Sequence, residues 1–415
     1  MRTGLFLQVL VGFGLAGSVL AAEPPLGSAD FAPSSARPFG WRGDGTGRYP
    51  EATPLITWSD AKHLRWSAVV GSSYSSPILT DRLVLLTSEP NLLTAVNRAD
   101  GKVRWQVQFK PADLADAKSR TAAAEYEAPK DGAGIMAATP LTDGTTVYVV
   151  LANGIVAAVD LDGKRKWTTF IDADQNTGYG RSTSPILVAG KLIVHMTNLY
   201  AFNPSTGKQL WVNTDAPSKY GTPMSMKVEG ADVIVTPAGD AVRAADGKTV
   251  AADLGSSPHT SPVVIDDVVY LGESTLSAFR FDAKFKPAEL WSGSIGDDVI
   301  GSPLIHEGIL FTATGKGRMF AFDAKGKGDQ RPLIDARELF GKGEGGDPLV
   351  YASITLAGKH LFLNATDGGI VVLEATREAK EVARHKLATG SGASPIFAGK
   401  EMFLRDGNKL LCIGP

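Results

Sequence analysis

A hydroxyl residue followed by proline recurs along this chain at intervals near forty residues, and that recurrence limits the fold more than any other feature. The copies are Ser76-Pro77, Thr139-Pro140, Ser184-Pro185, Thr222-Pro223, Ser261-Pro262, Ser302-Pro303 and Ser394-Pro395, with Ser353-Ile354 as a degenerate eighth. Successive hydroxyl residues stand 63, 45, 38, 39, 41, 51 and 41 positions apart, so the first and sixth intervals carry insertions. A period of this length belongs to propellers and solenoids, where each repeat is one supersecondary unit that buries its apolar face against its neighbours.

Within each interval, short runs of alternating apolar residues are separated by turns, and a second marker ends the pattern. It reads Asp100-Gly101-Lys102, Asp162-Gly163-Lys164, Thr206-Gly207-Lys208, Asp246-Gly247-Lys248, Asp282-Ala283-Lys284, Asp323-Ala324-Lys325 and Asp406-Gly407-Asn408. Asp-Gly between β-branched alternating runs is a hairpin signal, because glycine supplies a positive φ without steric cost. In the repeat from Ser184 the expected strands are Ile186-Val188, Leu192-Met196, Leu199-Phe202 and Gln209-Val212. Helical periodicity is nowhere sustained over ten residues, and four short strands per repeat describe a propeller blade. Trp105, Trp167 and Trp211 close a Gly-Lys-x-x-Trp pattern, and Trp291 follows a longer turn. A ring at one fixed point of each outer strand is expected to fill the wedge between blades, burying roughly 150–250 Å².

The last repeat stops at Pro415 after three strands, whereas Asp60 to Trp66 carries the turn and tryptophan of an outer strand with no strands before it. The N-terminal segment is therefore expected to complete the final blade and leave no open seam. The fold class expected is all-β, an eight-bladed β-propeller over residues 56–415, preceded by an arm over 23–55.

Residues 1–22 read as a cleaved secretory signal peptide. Arg2 precedes an apolar run from Leu5 to Leu20, shorter than the ~20 residues that span hydrocarbon, and Ala21-Ala22 closes it. The mature chain is expected in the periplasm or outside the cell, without a lipid anchor because no cysteine lies near the cleavage site. Cys412 is the one cysteine of the 415 residues, which excludes an intramolecular disulfide, a CxxC pair and a Cys-rich zinc site; it is expected in a core strand, and the chain is expected to be monomeric. With 42 Lys+Arg against 44 Asp+Glu there is no basic excess to hold a nucleic acid, and 46 glycines fit a chain of turns.

The hydroxyl-Pro start, the segments Ala158-Val159-Asp160, Tyr200-Ala201-Phe202-Asn203 and Phe320-Ala321-Phe322-Asp323, and the Gly-Lys-x-x-Trp end together resemble the PQQ-like propeller repeat. That repeat is shared by the quinoprotein alcohol dehydrogenases and by BamB-like envelope proteins, and the resemblance covers about residues 56 to 415. Phe39 to Gly47 is similar to an arm found on secreted bacterial members. The resemblance implies either a scaffold that binds envelope or outer-membrane proteins or, in the alternative, a reduced oxidoreductase using PQQ and Ca²⁺ on an alcohol or sugar. The adjacent cysteine pair usual beside the quinone in those enzymes is absent, so the scaffold reading is preferred with no catalytic or metal residues assigned; BamB's lipid-attachment cysteine is absent too, so the protein is expected to be retained by its partners or free in the periplasm. Acidic groups in the longer insertions, at Glu125, Glu127, Asp131, Glu344 and Asp347, are the oxygen ligands a calcium could use, but solvation of exposed loops is the preferred reading of them. The six histidines show no zinc-hydrolase spacing, and no nucleophile elbow or phosphate loop is present.

One offset carries a pattern of its own. Two residues before each marker stand Tyr74, Ala137, Ser182, Tyr220, His259, Ile300, Tyr351 and Gly392. If the marker opens the innermost strand, these residues ring one channel mouth, and Tyr74, Tyr220, His259 and Tyr351 with Arg181 form a polar-aromatic rim for a ligand or partner segment. The same tyrosines are compatible with simple capping of the inner strands, and with glycan binding.

Overall fold

Proline has no N–H and holds the residue before it extended, so a Ser-Pro or Thr-Pro step starts a strand while leaving only the hydroxyl residue's own N–H to be satisfied. In the computed structural model, which describes residues 23–130, 132–173, 178–341 and 349–415, these N–H groups share one solution. Each donates to the hydroxyl of the next marker residue: Ser76 to Thr139, Thr139 to Ser184, Ser184 to Thr222, Thr222 to Ser261, Ser261 to Ser302, Ser302 to Ser353, and Ser353 to Ser394, at 2.8–3.1 Å. Ser394 then donates to Ser76 at 3.1 Å, so eight bonds form a closed belt. The degenerate Ser353-Ile354 step is a full member of it.

The belt sits at the start of the eight innermost strands. Strand order follows the chain in seven blades, as in blade 3 with Ile186–Val188, Lys191–Met196, Asn198–Phe202 and Gln209–Asn213. The eighth is built from both ends: Leu64–Val69 pairs antiparallel with Lys409–Ile413, outside Glu401–Asp406 and Ile396–Ala398. Arg405, buried in this blade, donates to the carbonyl oxygens of Gly71, Ser75 and Thr87 in blade 1 and strengthens the closure. The fold is thus the eight-bladed propeller the repeat implies.

The tryptophans pack as wedges. A Cβ built on Gly101, Gly163, Gly207 or Gly247 would meet the ring of Trp66, Trp105, Trp167 or Trp211 at 2.5–2.8 Å, and each of these glycines has a φ of 70–84°. The turn therefore needs glycine twice, for its backbone and for the ring lying on it. Each indole N–H donates to a carbonyl of the following blade, at Arg98, Leu161, Pro204, Ala244 and, for Trp291, Ala324. Cys412 is buried in its strand, and burial pushes its thiol up to about 12.

Among the described residues two blades have a fifth strand, where four were expected throughout. Gly328–Gln330, from the insertion of the sixth interval, lies parallel on the outer strand Pro287–Ser294 of blade 5. Arg48–Tyr49, from the arm, lies parallel on the innermost strand Thr355–Ala357 of blade 7. The first insertion folds as a short helix, Ala117–Glu125, whose N-cap Asp116 accepts from the Ser119 N–H at 2.8 Å. No helix among the described residues is long and apolar enough to cross a membrane; the proposed signal peptide lies outside them.

The arm crosses the propeller axis. Phe39 bridges to Thr142 of blade 2, Gly45 lies against Met224 of blade 4, Arg48 pairs with Leu356 of blade 7, and Thr53 donates to Gly399 of blade 8. Arg42 is 1% exposed and donates to the carbonyl oxygens of Pro303 and Ile354, both at 2.9 Å. Those carbonyls belong to the residues immediately after two belt hydroxyls. The arm is thus a stopper held against one end of the channel.

Candidate functional site

Because the inner strands run in register, residues at one offset from the belt share one level of the channel. All eight belt residues line a central cavity of about 440 Å³, and so do all eight residues two positions before them. The belt forms its wall, and Trp41 of the arm its floor. Tyr74, Tyr220, His259 and Tyr351 stand at the mouth, where the offset places them. Arg181 does not line the cavity: its guanidinium donates to the Ala152 carbonyl and lies over the Tyr126 ring at 5.1 Å.

The mouth is organised as two aromatic groups. Tyr74 and Tyr351 meet edge to face at 6.0 Å, and a side chain at Gly392 would collide with Tyr74 at 2.6 Å. Opposite in the ring of blades, Tyr220 stacks on the His259 imidazole at 5.2 Å and 9°, and its hydroxyl accepts from the Tyr179 N–H at 3.2 Å. Tyr179, 64% exposed, packs at 5.9 Å from Tyr220 and 6.3 Å from His259. It lies in the loop entering blade 3, off the repeat offset, so reading by period passes over it. The same applies to Trp41, whose arm has no repeat at all.

His259 Nδ1 is 3.0 Å from Glu273 Oε1, and the Glu273 carboxylate also accepts the His259 backbone N–H. The side-chain hydrogen bond to Glu273 raises the His259 pKa against the opposing effect of burial, with Glu273 and Asp298 adding Coulombic support. Asp298 lines the cavity directly. Below it, the belt hydroxyls accept one N–H each; Ser394 donates its own hydrogen to the Ser353 carbonyl at 3.1 Å, and the other seven have no acceptor in the protein among the described residues. The channel therefore offers hydroxyl donors at its wall and π faces at its two ends.

These residues do not fit PQQ held with calcium. Among the described residues no Lys or Arg lines the cavity to meet the cofactor's carboxylates, and Asp298 would oppose them. No group of three or more His, Cys, Asp or Glu side chains able to hold a metal occurs among the described residues. Glu125 and Glu127 are exposed on the first insertion, and Asp131, Glu344 and Asp347 lie outside the described residues.

A ring-closed eight-bladed propeller with a hydroxyl belt and a tryptophan wedge between blades is a PQQ-like-repeat propeller. Within that class the chain belongs to the family of the outer membrane protein assembly factor BamB, whose model matches residues 47–107 and 116–284. Among curated relatives, the outer membrane protein assembly factor BamB of Moranella endobia is 27% identical over 225 residues, 51% of this chain and 52% of that protein. The chain thus matches about half the length of this relative. Among solved structures, BamB from Moraxella catarrhalis superposes with a TM-score of 0.61 at 11% identity, covering 85% of this chain and 97% of that one. The quinohemoprotein alcohol dehydrogenase from Comamonas testosteroni gives 0.59 at 11% identity, covering 91% and 80%. Likeness at such identities establishes the shared fold alone.

Proposed function

We propose that this protein is an extracytoplasmic scaffold that binds extended segments of envelope proteins during outer-membrane protein assembly. In this reading residues 1–22 direct export, and the mature chain acts without a lipid anchor and without catalysis. The observation that carries the proposal is the parallel addition of Gly328–Gln330 to the outer strand of blade 5. An outer edge that accepts a strand from its own chain has the backbone geometry to accept one from another, with alternate side chains giving specificity.

Blade 3 offers such an edge with no fifth strand among the described residues. Its outer strand Gln209–Asn213 places Leu210 and Val212 on one face, 47% and 41% exposed, while Trp211 between them turns toward the next blade. The test is site-specific photocross-linking in a bacterial envelope, with the cross-linker at Leu210 or Val212 and, as the comparison, at exposed Glu289 beside the covered edge of blade 5. Cross-links to outer-membrane assembly components from blade 3 are expected, with few from Glu289. An equal yield at both positions, or none from blade 3, would sink the edge-binding reading.

A further inference from the structure

We infer that the stoppered channel is a binding site for a neutral saccharide of one or two rings, independent of the outer-strand edges. The cavity's 440 Å³ is within the range of small-molecule sites, about 300–1,000 Å³. Its size alone names no ligand, but three features of the lining do.

First, the charges are wrong for a polyanion. Among the described residues no Lys or Arg side chain lines the cavity, and His259 is paired with Glu273, which leaves Asp298 as a carboxylate acceptor. Second, the wall is a ring of hydroxyls in which seven hydrogens have no protein acceptor among the described residues, while each oxygen already holds one N–H. Such a ring can both give hydrogen bonds to and, through a remaining lone pair, take them from a ligand carrying many hydroxyl groups. A quaternary ammonium, by contrast, could use none of these donors.

Third, the two ends present aromatic faces. The negative face of a π system attracts the weakly positive C–H edge of a sugar ring, and Trp41, Tyr220 and Tyr351 bring aromatic rings to the lining around the polar belt. Trp41 is held for this by its neighbour: the Arg42 guanidinium lies 5.3 Å from the indole and is fixed by its two carbonyls. Without the arm the channel would lack its floor. A pyranose resting its C–H face on the aromatic residues and directing its hydroxyls to the belt and Asp298 uses the hydroxyl, carboxylate and aromatic groups of the lining.

The test uses the purified protein with two probes, maltose and N,N′-diacetylchitobiose, and choline chloride as the competing cationic ligand. Ligand-observed saturation-transfer NMR and the change in intrinsic fluorescence are read together. Binding of at least one saccharide is expected, weakened at least tenfold in Tyr220→Ala and in Tyr351→Ala and unchanged in the outer-strand variant Leu210→Ser. Trp41→Phe should keep the NMR signal but lose much of the fluorescence change, which localises the ligand to the channel floor; if one rim variant fails to fold, this variant and the other rim variant still decide. No saturation transfer from either saccharide, affinity in both rim variants equal to that of the unaltered protein, or transfer to choline alone would overturn the proposal. Loss of the Leu210 cross-link with saccharide binding intact would remove the scaffold reading and leave this one standing.

Discussion

The backbone N–H of Ser394 donates to Ser76 Oγ across 318 residues, and with that bond the belt around the channel is complete. Both residues are buried in the channel wall, so a lost hydroxyl takes the protein acceptor away from a largely desolvated N–H. Ser76→Ala is expected to cost about 1–3 kcal/mol, the desolvation penalty of one orphaned donor. Ser76→Thr keeps the oxygen, as Thr139 and Thr222 do in their own blades, and should cost much less. Urea midpoints of the two variants measured side by side check this; equal losses would mean that packing rather than the hydrogen bond matters there.

Arg42 should hold the arm more than it holds the blades. Its buried guanidinium, lowered to about 10 by desolvation, makes two hydrogen bonds to carbonyls at the end of the channel. In Arg42→Met those carbonyls lose their donors, an expected loss of about 2–3 kcal/mol concentrated in arm docking. Chymotrypsin cleavage at Phe39, Trp41 or Tyr49 should therefore accelerate strongly while the propeller fragment stays resistant. Cleavage no faster than in the unaltered protein would show that the strand pairing at Arg48–Tyr49 suffices.

His195 makes the fold sensitive to acid. The ring is buried, with Nε2 3.1 Å from the Ala216 carbonyl, and desolvation lowers its pKa to about 4. The unfolded chain takes up a proton near pH 6.5 while the native state does not, so stability falls as pH drops from about 6.5 to about 4. The full effect is roughly 3 kcal/mol. Melting temperatures at pH 7 and pH 4.5 should differ less in His195→Gln than in the unaltered protein, and an unchanged pH response would locate the acid sensitivity elsewhere.

His259 runs the other way. Its partner Glu273 raises the folded pKa, so the pair's contribution is fully present below about pH 6.5 and is lost as pH rises through the raised value. Glu273→Gln should flatten the stability profile above about pH 6.5. The chemical shift of His259 followed by NMR gives the same answer directly: its titration midpoint should move down in the variant.

The blades were legible because their signals are local and repeated. Hydroxyl-Pro starts, Asp-Gly turns and the Gly-Lys-x-x-Trp ends each report a backbone requirement of a few residues, and seven hydroxyl-Pro starts with one degenerate copy make the period unmistakable. Blade 3 has its four strands within a residue or so of where alternation puts them. Even the seam was readable, since Trp66 keeps the outer-strand pattern apart from its blade. Arg181 shows the limit of such reasoning: adjacency in sequence to a rim position did not bring its guanidinium to the cavity, because the Ala152 carbonyl and Tyr126 ring take it elsewhere.

By itself, then, the sequence determined the number of blades, their strands, the wedge residues and the level at which Tyr74, Tyr220, His259 and Tyr351 stand, because each follows from a repeated local constraint. Tertiary structure alone decided that the arm would cross the axis, that Trp41 would close the channel, and that Gly328–Gln330 would join a blade other than its own. Those contacts link non-repeating segments to distant carbonyls and edges. Their stability comes from burying groups such as Arg42 against partners that exist only once the ring has closed.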